Sequence, residues 1–201
     1  MELFNHLNQE NLLPFSGEVN YFPNFFNKAQ CELYFKKLTR EIDWRQEPIW
    51  LFGKQIMQPR LTALYGNPDI PYGYSGIEMN ANPWTDFLLD IKETIEQIAQ
   101  IDFTHVLLNN YRHGKDSMGW HRDNEKVLGT NPTIASVSFG TPRKFQFRLY
   151  KDKTLKKEII LENGSLLLMK GETQHHWEHQ LPKSNLVKGG RINLTFRKIY
   201  P

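Results

Sequence analysis

The spacing of apolar positions changes near His105: before it they recur at helical intervals, and after it they fall in short runs rich in Val, Ile, Phe, Tyr and Thr. Asn27 to Ile42 carries Leu33, Phe35 and Leu38 with no internal Pro or Gly, which predicts a helix after the turn at Pro23. A second helix is marked more clearly. Asn82 can cap it, Pro83 suits its first turn, and Leu88, Ile91, Ile95 and Ile98 form one apolar stripe for packing against a sheet.

Strands are expected at Val106 to Tyr111, Ile134 to Phe139, Lys144 to Tyr150, Lys157 to Leu161, Ser165 to Met169 and Arg191 to Ile199. Gly129, Gly140, Pro142, Gly164, Gly171, Gly189 and Gly190 punctuate them at the short intervals of an antiparallel sandwich or jelly roll. Two helices ahead of about seven strands predict an α+β fold in which helices buttress one sheet.

Composition narrows the class. With 201 residues, 39% of them hydrophobic, the chain can bury a full core and most simply forms one domain. Cys31 is the single cysteine, so no intramolecular disulfide can form, and it reads as a small buried hydrophobe in a reducing compartment. The N-terminal stretch lacks a basic region followed by a sustained apolar run, and the longest apolar run elsewhere, Leu166 to Met169, is too short to span a bilayer. A soluble intracellular chain, cytoplasmic or nuclear and without a membrane partner, is expected.

Charge is unevenly placed. The net charge is +3, but residues 1 to 100 carry 8 Lys+Arg against 13 Asp+Glu (−5), while residues 101 to 201 carry 17 against 9 (+8). The basic half suits a polyanion such as nucleic acid, and equally a solvated face with no partner.

His121-x-Asp123 sets an imidazole and a carboxylate on one side of an extended segment, so they can take adjacent corners of a metal's coordination sphere. Gln174-His175-His176-Trp177-Glu178-His179 offers three candidate third ligands, and spacing does not choose among them. A facial 2-His-1-carboxylate set leaves positions open for a cosubstrate and O2, the pattern of non-haem Fe(II) oxygenases. From Arg191 to Arg197 the chain alternates strictly: Arg191, Asn193, Thr195 and Arg197 share one face, Ile192, Leu194 and Phe196 the other. Two guanidiniums flanking Asn and Thr suit a small dicarboxylate, although a solvent-facing strand would alternate in the same way.

Taken together, Asn109-x-Tyr111, His121-Arg122-Asp123-Asn124-Glu125, Ala135 to Gly140, Gly164-Ser165-Leu166-Leu167, His176-Trp177-x-His179-x-Leu181-Pro182 and Arg191-x-Asn193-Leu194-Thr195-Phe196-Arg197 resemble the AlkB family of Fe(II)- and 2-oxoglutarate-dependent dioxygenases, nearest its DNA-repair branch. The match spans roughly Trp50 to Tyr200. The resemblance implies a double-stranded β-helix, or jelly roll, with a nucleotide-recognition lid. It implies iron on His121, Asp123 and His179, and 2-oxoglutarate held by Asn109, Tyr111, Arg191 and Arg197, with Asn193 and Thr195 on the same strand face. Arg191 would meet the distal carboxylate and Arg197 would lie near the chelating end. The implied reaction couples decarboxylation of 2-oxoglutarate to hydroxylation of an N-linked methyl on a damaged base, with release of formaldehyde.

A base stacked in a duplex cannot reach a buried metal, so it must be flipped out or presented on a single strand. Tyr72-Gly73-Tyr74-Ser75-Gly76 resembles part of the family's lid, with Tyr74 placed to stack on the base, and it also reads as a tyrosine-rich turn. Glu125 matches an acidic position that faces the flipped base. Ile49 to Lys54 is similar to the hairpin that duplex-acting members use as a wedge, with Phe52 entering the stack, and it also reads as a buried hairpin. Arg60, Arg143, Lys144 and Arg148 are candidate phosphate contacts.

The division that follows is one dioxygenase domain over residues 1 to 201: an N-terminal extension and helix to about 45, a lid at about 46 to 80, and a jelly-roll core at about 105 to 200. The expected substrate is alkylated DNA, single- or double-stranded, of the N1-methyladenine and N3-methylcytosine type, handled by a monomer. The same chemistry on RNA or protein, and a non-enzymatic nucleic-acid-binding module with a structural His cluster, are the competing readings. A structural metal prefers a closed coordination shell, and a zinc hydrolase would leave the paired arginines without a purpose.

Overall fold

A computed structural model of the chain describes residues 10–51, 54–70, 72–74, 77–79 and 81–200. Among them the elements run β1 (Glu18–Phe22), α1 (Lys28–Glu41), β2 (Pro48–Leu51), β3 (Lys54–Met57), β4 (Leu61–Gly66), β5 (Tyr72–Tyr74), β6 (Ile77–Met79), α2 (Asp86–Ala99), β7 (His105–Tyr111) and β8 (Met118–His121). They continue with β9 (Ile134–Gly140), β10 (Arg143–Leu149), β11 (Lys156–Leu161), β12 (Ser165–Lys170), the short α3 (Thr173–His176), β13 (Trp177–Leu181) and β14 (Arg191–Arg197).

Two antiparallel sheets form the body. The larger has the order β1-β12-β9-β14-β7-β4 and the smaller β11-β10-β13-β8, while β2-β3 and β5-β6 are separate hairpins. The sheets face each other through an apolar layer that joins Leu167 and Met169 of β12 to Phe145 and Phe147 of β10 and Trp177 and Leu181 of β13. This is the jelly roll that the strand texture predicts.

The helices cover the other face of the large sheet. Phe87, Leu88, Ile91 and Ile95 of α2 and Leu38 of α1 pack with Val106, Leu108, Val137, Phe139, Ile192, Leu194 and Phe196. Burying each such side chain contributes about 1.5–3 kcal/mol, so this layer anchors the sheet that carries most of the site.

Several expectations need correction. Helix α1 has the predicted extent and a full capping box between Asn27 and Gln30, but its buried residues are Cys31, Tyr34 and Leu38. Leu33 is 50% exposed. At about 100° per residue, Leu33 and Phe35 point in nearly opposite directions and cannot share a face. Helix α2 begins at Asp86 with Thr85 as N-cap. Asn82 instead bridges to β4, exchanging backbone hydrogen bonds with Leu64 and Gly66 and donating its side-chain amide to the Leu64 carbonyl. Strands are also interleaved with the helices: β1 precedes α1 and pairs with β12 along the edge of the large sheet.

One glycine is required where these layers meet. Gly164 turns the chain between β11 and β12 at φ +75°, and a Cβ there would collide with the Cys31 sulfur and the Phe26 carbonyl oxygen. Cys31 is buried as expected, and burial pushes its thiol pKa up.

Candidate metal and cosubstrate site

Strand β14 lies between β9 and β7 at the centre of the large sheet, and all seven of its residues are buried. Ile192, Leu194 and Phe196 face the helices. Arg191, Asn193, Thr195 and Arg197 therefore project between the sheets, into a pocket also lined by Leu107, Asn109, Tyr111, Met118, Ser136, Phe145 and Leu181. The solvent-facing alternative for this strand is excluded because helices cover one of its faces and the smaller sheet faces the other.

The facing sheet supplies the imidazoles. His121 ends β8 and His179 lies mid-way along β13, and the two are register partners across that pair. Beyond them the register shifts before Leu181 meets Met118, a bulge of the kind that re-aims side chains beside a site. Their rings lie 4.2 Å apart between centroids at 63°. Asp123 follows in the loop after β8, with its carboxylate 3.8 Å from His121 Nε2 and 4.0 Å from His179 Nε2. Among the described residues these three form the group whose ligand atoms all lie within 4.8 Å of one another.

Electrostatics prepares them for a cation. Burial alone would raise the Asp123 pKa, but Arg197 and both imidazoles hold it well below the usual carboxylate range. Burial, then the neighbouring His121, pushes His179 down to about 3, and burial likewise lowers His121. Neutral imidazoles and an ionised carboxylate are the protonation states that metal ligands require. The His121 Nδ1 is 2.8 Å from the Gly119 carbonyl, an orientation in which Nδ1–H donates and Nε2 keeps its lone pair toward Asp123. Arg197 Nη2 occupies one Asp123 oxygen at 2.9 Å, while Oδ1 is buried with no hydrogen-bond partner.

The second half of the pocket is cationic. The Arg191 guanidinium is buried, donates to Ser138 Oγ at 2.9 Å and lies 5.4 Å from the Tyr111 ring centroid. No carboxylate among the described residues pairs with it, its Nε has no hydrogen-bond partner, and burial lowers its pKa to about 10. A buried, uncompensated guanidinium is costly unless an anionic ligand completes it. Asn193 spends its amide on Ser136 Oγ and the Val137 carbonyl, both at 2.8 Å, and Thr195 donates to Asn193 Oδ1 at 3.1 Å. These two build the pocket wall.

Arg60 differs from the surface phosphate contact suggested by its sequence. It is 3% exposed, and its Nε donates to Asn109 Oδ1 at 2.6 Å. Arg143 is also buried, with its guanidinium on the carbonyls of Asp116 and Pro182. Lys144 pairs with Glu158, and Arg148 pairs with Glu178. Glu125 stands near the ligands with Oε2 buried and unpartnered; burial, then Asp123, raises its pKa.

Of the other two histidines, His175 contacts the Thr130 carbonyl and Asn131, and His176 lies 3.6 Å from Glu172, both outside the three-residue group. The hairpin expected over Ile49 to Lys54 corresponds to the antiparallel pair β2-β3, and Phe52, the residue assigned there as a wedge, lies outside the described residues. Tyr72 and Tyr74 belong to β5, and Ser75 lies outside the described residues. Sequence reasoning misses Ser136 and Ser138, which alternate inward within the block from Ala135 to Gly140 and accept from Asn193 and Arg191, and Gln174 at the head of the His-rich segment, which accepts from the Asp123 N–H.

An open three-ligand group facing a buried, unpaired arginine inside a jelly roll defines the class of non-haem iron oxygenases that take a dicarboxylate cosubstrate. The sequence comparisons agree. The 2OG-Fe(II) oxygenase superfamily model matches residues 18–197. Alpha-ketoglutarate-dependent dioxygenase alkB homolog 3 of Bos taurus is 41% identical over 191 residues, covering 89% of this chain and 65% of that protein. DNA oxidative demethylase ALKBH2 of Mus musculus is 37% identical over 187 residues, covering 88% and 78%. The chain thus spans about two thirds of the length of the first of these relatives. The solved OsALKBH1 structure superposes with a TM-score of 0.61 at 16% identity, covering 92% of this chain and 99% of that one, a likeness of fold. The chain belongs to the AlkB family of the 2OG-Fe(II) oxygenase superfamily. The orphaned Asp123 oxygen and the unpaired Arg191 fit Fe(II) and 2-oxoglutarate respectively. Among the described residues no helix is long and apolar enough to cross a membrane.

Proposed function

We propose that the chain is a DNA oxidative demethylase that restores bases carrying N1-methyladenine and N3-methylcytosine type lesions. The observation that carries this reading is the 37% identity, over most of the chain, to a relative named DNA oxidative demethylase, joined to a pocket holding both an open ligand group and an uncompensated arginine. In this reading His121, Asp123 and His179 hold the iron. Arg191 grips the distal carboxylate of 2-oxoglutarate beside Tyr111, Arg197 serves the metal end, and Asn109, steadied by Arg60, borders the same pocket.

Iron, 2-oxoglutarate and O2 supply the oxidising step that hydroxylates the N-linked methyl, after which the hydroxymethyl adduct releases formaldehyde and the base is restored. The protein's own part is positional and electrostatic. Phe145 stacks on the His179 ring at 5.5 Å and, with Leu107 and Leu181, keeps water from the reacting atoms. Glu125 offers an unpartnered carboxyl oxygen to the exocyclic edge of the base. The lid is assigned to the segments carrying Phe52, Tyr72, Tyr74 and Ser75, a reading supported by their resemblance to the family's nucleotide-recognition segments.

One domain spans residues 1 to 201, with the lid at about 46 to 80 and the core at about 105 to 200. It works as a monomer on single- or double-stranded alkylated DNA, in the cytoplasm or nucleus where that substrate lies. The test is to incubate iron-loaded protein with methylated single-stranded and duplex oligonucleotides, with and without 2-oxoglutarate, and to measure formaldehyde, succinate and base restoration. Formaldehyde and restored base that depend on 2-oxoglutarate are expected. Succinate with no base restored would overturn the DNA assignment while leaving the oxygenase, and preferential repair of methylated RNA would transfer the substrate.

A further inference from the structure

Arg122 sits between two of the ligand residues yet turns away from the pocket. Its guanidinium carbon lies 3.8 Å from the centroid of the Tyr150 ring, and its Nη1 donates to the His175 carbonyl at 3.1 Å. Tyr150 is itself tied to the same turn, since its backbone N–H donates to the His176 carbonyl at 2.7 Å. On the inner side the Asp123 N–H donates to Gln174 Oε1 at 2.9 Å. Gln174 is fully buried, with its amide nitrogen 3.6 Å from Met169 Sδ. Residues 121 to 123 are thus tethered, inside and outside, to α3, the turn that leads directly into the strand carrying His179.

We propose that Tyr150, Arg122 and Gln174 are positioning residues that clamp the Asp123 loop and so set its carboxylate against both imidazoles. The inference rests on the metal-binding reading above. The need for a clamp follows from the topology. Strand β8 is a four-residue edge strand whose register with β13 shifts just beyond His179, and Asp123 lies past its end. Among the described residues, the other side-chain hydrogen bond to Asp123 is the one from Arg197. Partners of this kind, one step removed from the metal, typically change metal affinity 10- to 100-fold when removed.

Two effects of Arg122 oppose each other, which makes the sign informative. Removing a positive charge beside a cation site should by electrostatics alone tighten binding of a divalent ion. Loss of the clamp should weaken it. Tyr150→Ala removes no charge and touches no ligand, so it isolates the clamp.

The experiment is a Co(II) titration of the metal-free protein, followed by absorption spectroscopy and calorimetry, with His179→Ala as the reference for a lost ligand. Tyr150→Ala and Arg122→Ala are each expected to weaken Co(II) binding about 10-fold. The double variant should be no weaker than either alone, and Tyr150→Phe, which keeps the ring, should bind like wild type. Gln174→Leu should lose as much or more; if it fails to fold by circular dichroism, the Tyr150 and Arg122 variants carry the test. Wild-type affinity in Tyr150→Ala, or tighter binding in Arg122→Ala, overturns the clamp. If wild type binds Co(II) no better than His179→Ala, the metal assignment itself fails and the clamp falls with it.

Discussion

Arg197 Nη2 and Asp123 Oδ2 meet at 2.9 Å, both side chains being nearly sealed from solvent. The guanidinium neutralises one carboxylate oxygen and leaves the other for a cation, so a single arginine serves both the charge balance of the interior and the geometry of the site. Arg197→Met should destabilise the metal-free protein by about 3–5 kcal/mol, because it strands a buried carboxylate. Urea denaturation measures this, and added Co(II) should recover part of the loss. An unchanged midpoint without metal would mean that the pair contributes nothing to folding.

Arg191 should govern cosubstrate affinity. Charge-assisted hydrogen bonds contribute about 1.5–3 kcal/mol, so Arg191→Met should raise the 2-oxoglutarate Kd roughly 10- to 100-fold in Co(II)-loaded protein. Arg191→Lys should not restore it, since an ammonium lacks the planar fork. Calorimetry that returned a wild-type Kd for either variant would move the dicarboxylate elsewhere.

His105 gives stability a pH dependence. It is buried on β7, and burial lowers its pKa below the ordinary imidazole value. The unfolded chain therefore binds the proton first, and stability is lost as pH falls below about 6.5, with a slope of at most ~1.4 kcal/mol per pH unit from this group. Urea midpoints between pH 8 and 5 should fall more steeply for wild type than for His105→Gln. Parallel profiles would acquit His105.

Gly164→Ala should cost at least ~2 kcal/mol, because it combines a left-handed φ with a collision against Cys31 and Phe26. A thermal melt checks this. Pairing it with Cys31→Ala should recover only the part that comes from the sulfur contact, leaving the backbone strain and the Phe26 carbonyl.

What could be read from the chain was whatever period and residue type jointly specify. His121 and Asp123 are recognisable because two residues along an extended segment return to the same side. The Arg191 to Arg197 strand is recognisable because its alternation is strict. Alternation does not say which face is wet, however; the helices packed on one side of β14 and the smaller sheet on the other bury both, and the arginines face the smaller sheet. Leu33 has the apolar character of a core residue but not its angular position on the helix. Charge suggests the surface for Arg60, whereas in the interior its guanidinium finds a neutral acceptor in Asn109. Arg122 and Tyr150 are 28 positions apart and obey no local period, so their stacking exists only in the folded chain.

The two faces of β14 carry a consequence for folding quality control. A one-residue slip in its register would drive Ile192, Leu194 and Phe196 into the ligand pocket and four polar side chains into the helix layer at once. Misregistered chains are thereby penalised twice and forfeit their metal ligand environment in the same event. Metal uptake by this protein would report on correct strand pairing, so that a preparation's metal-binding stoichiometry measures its natively threaded fraction.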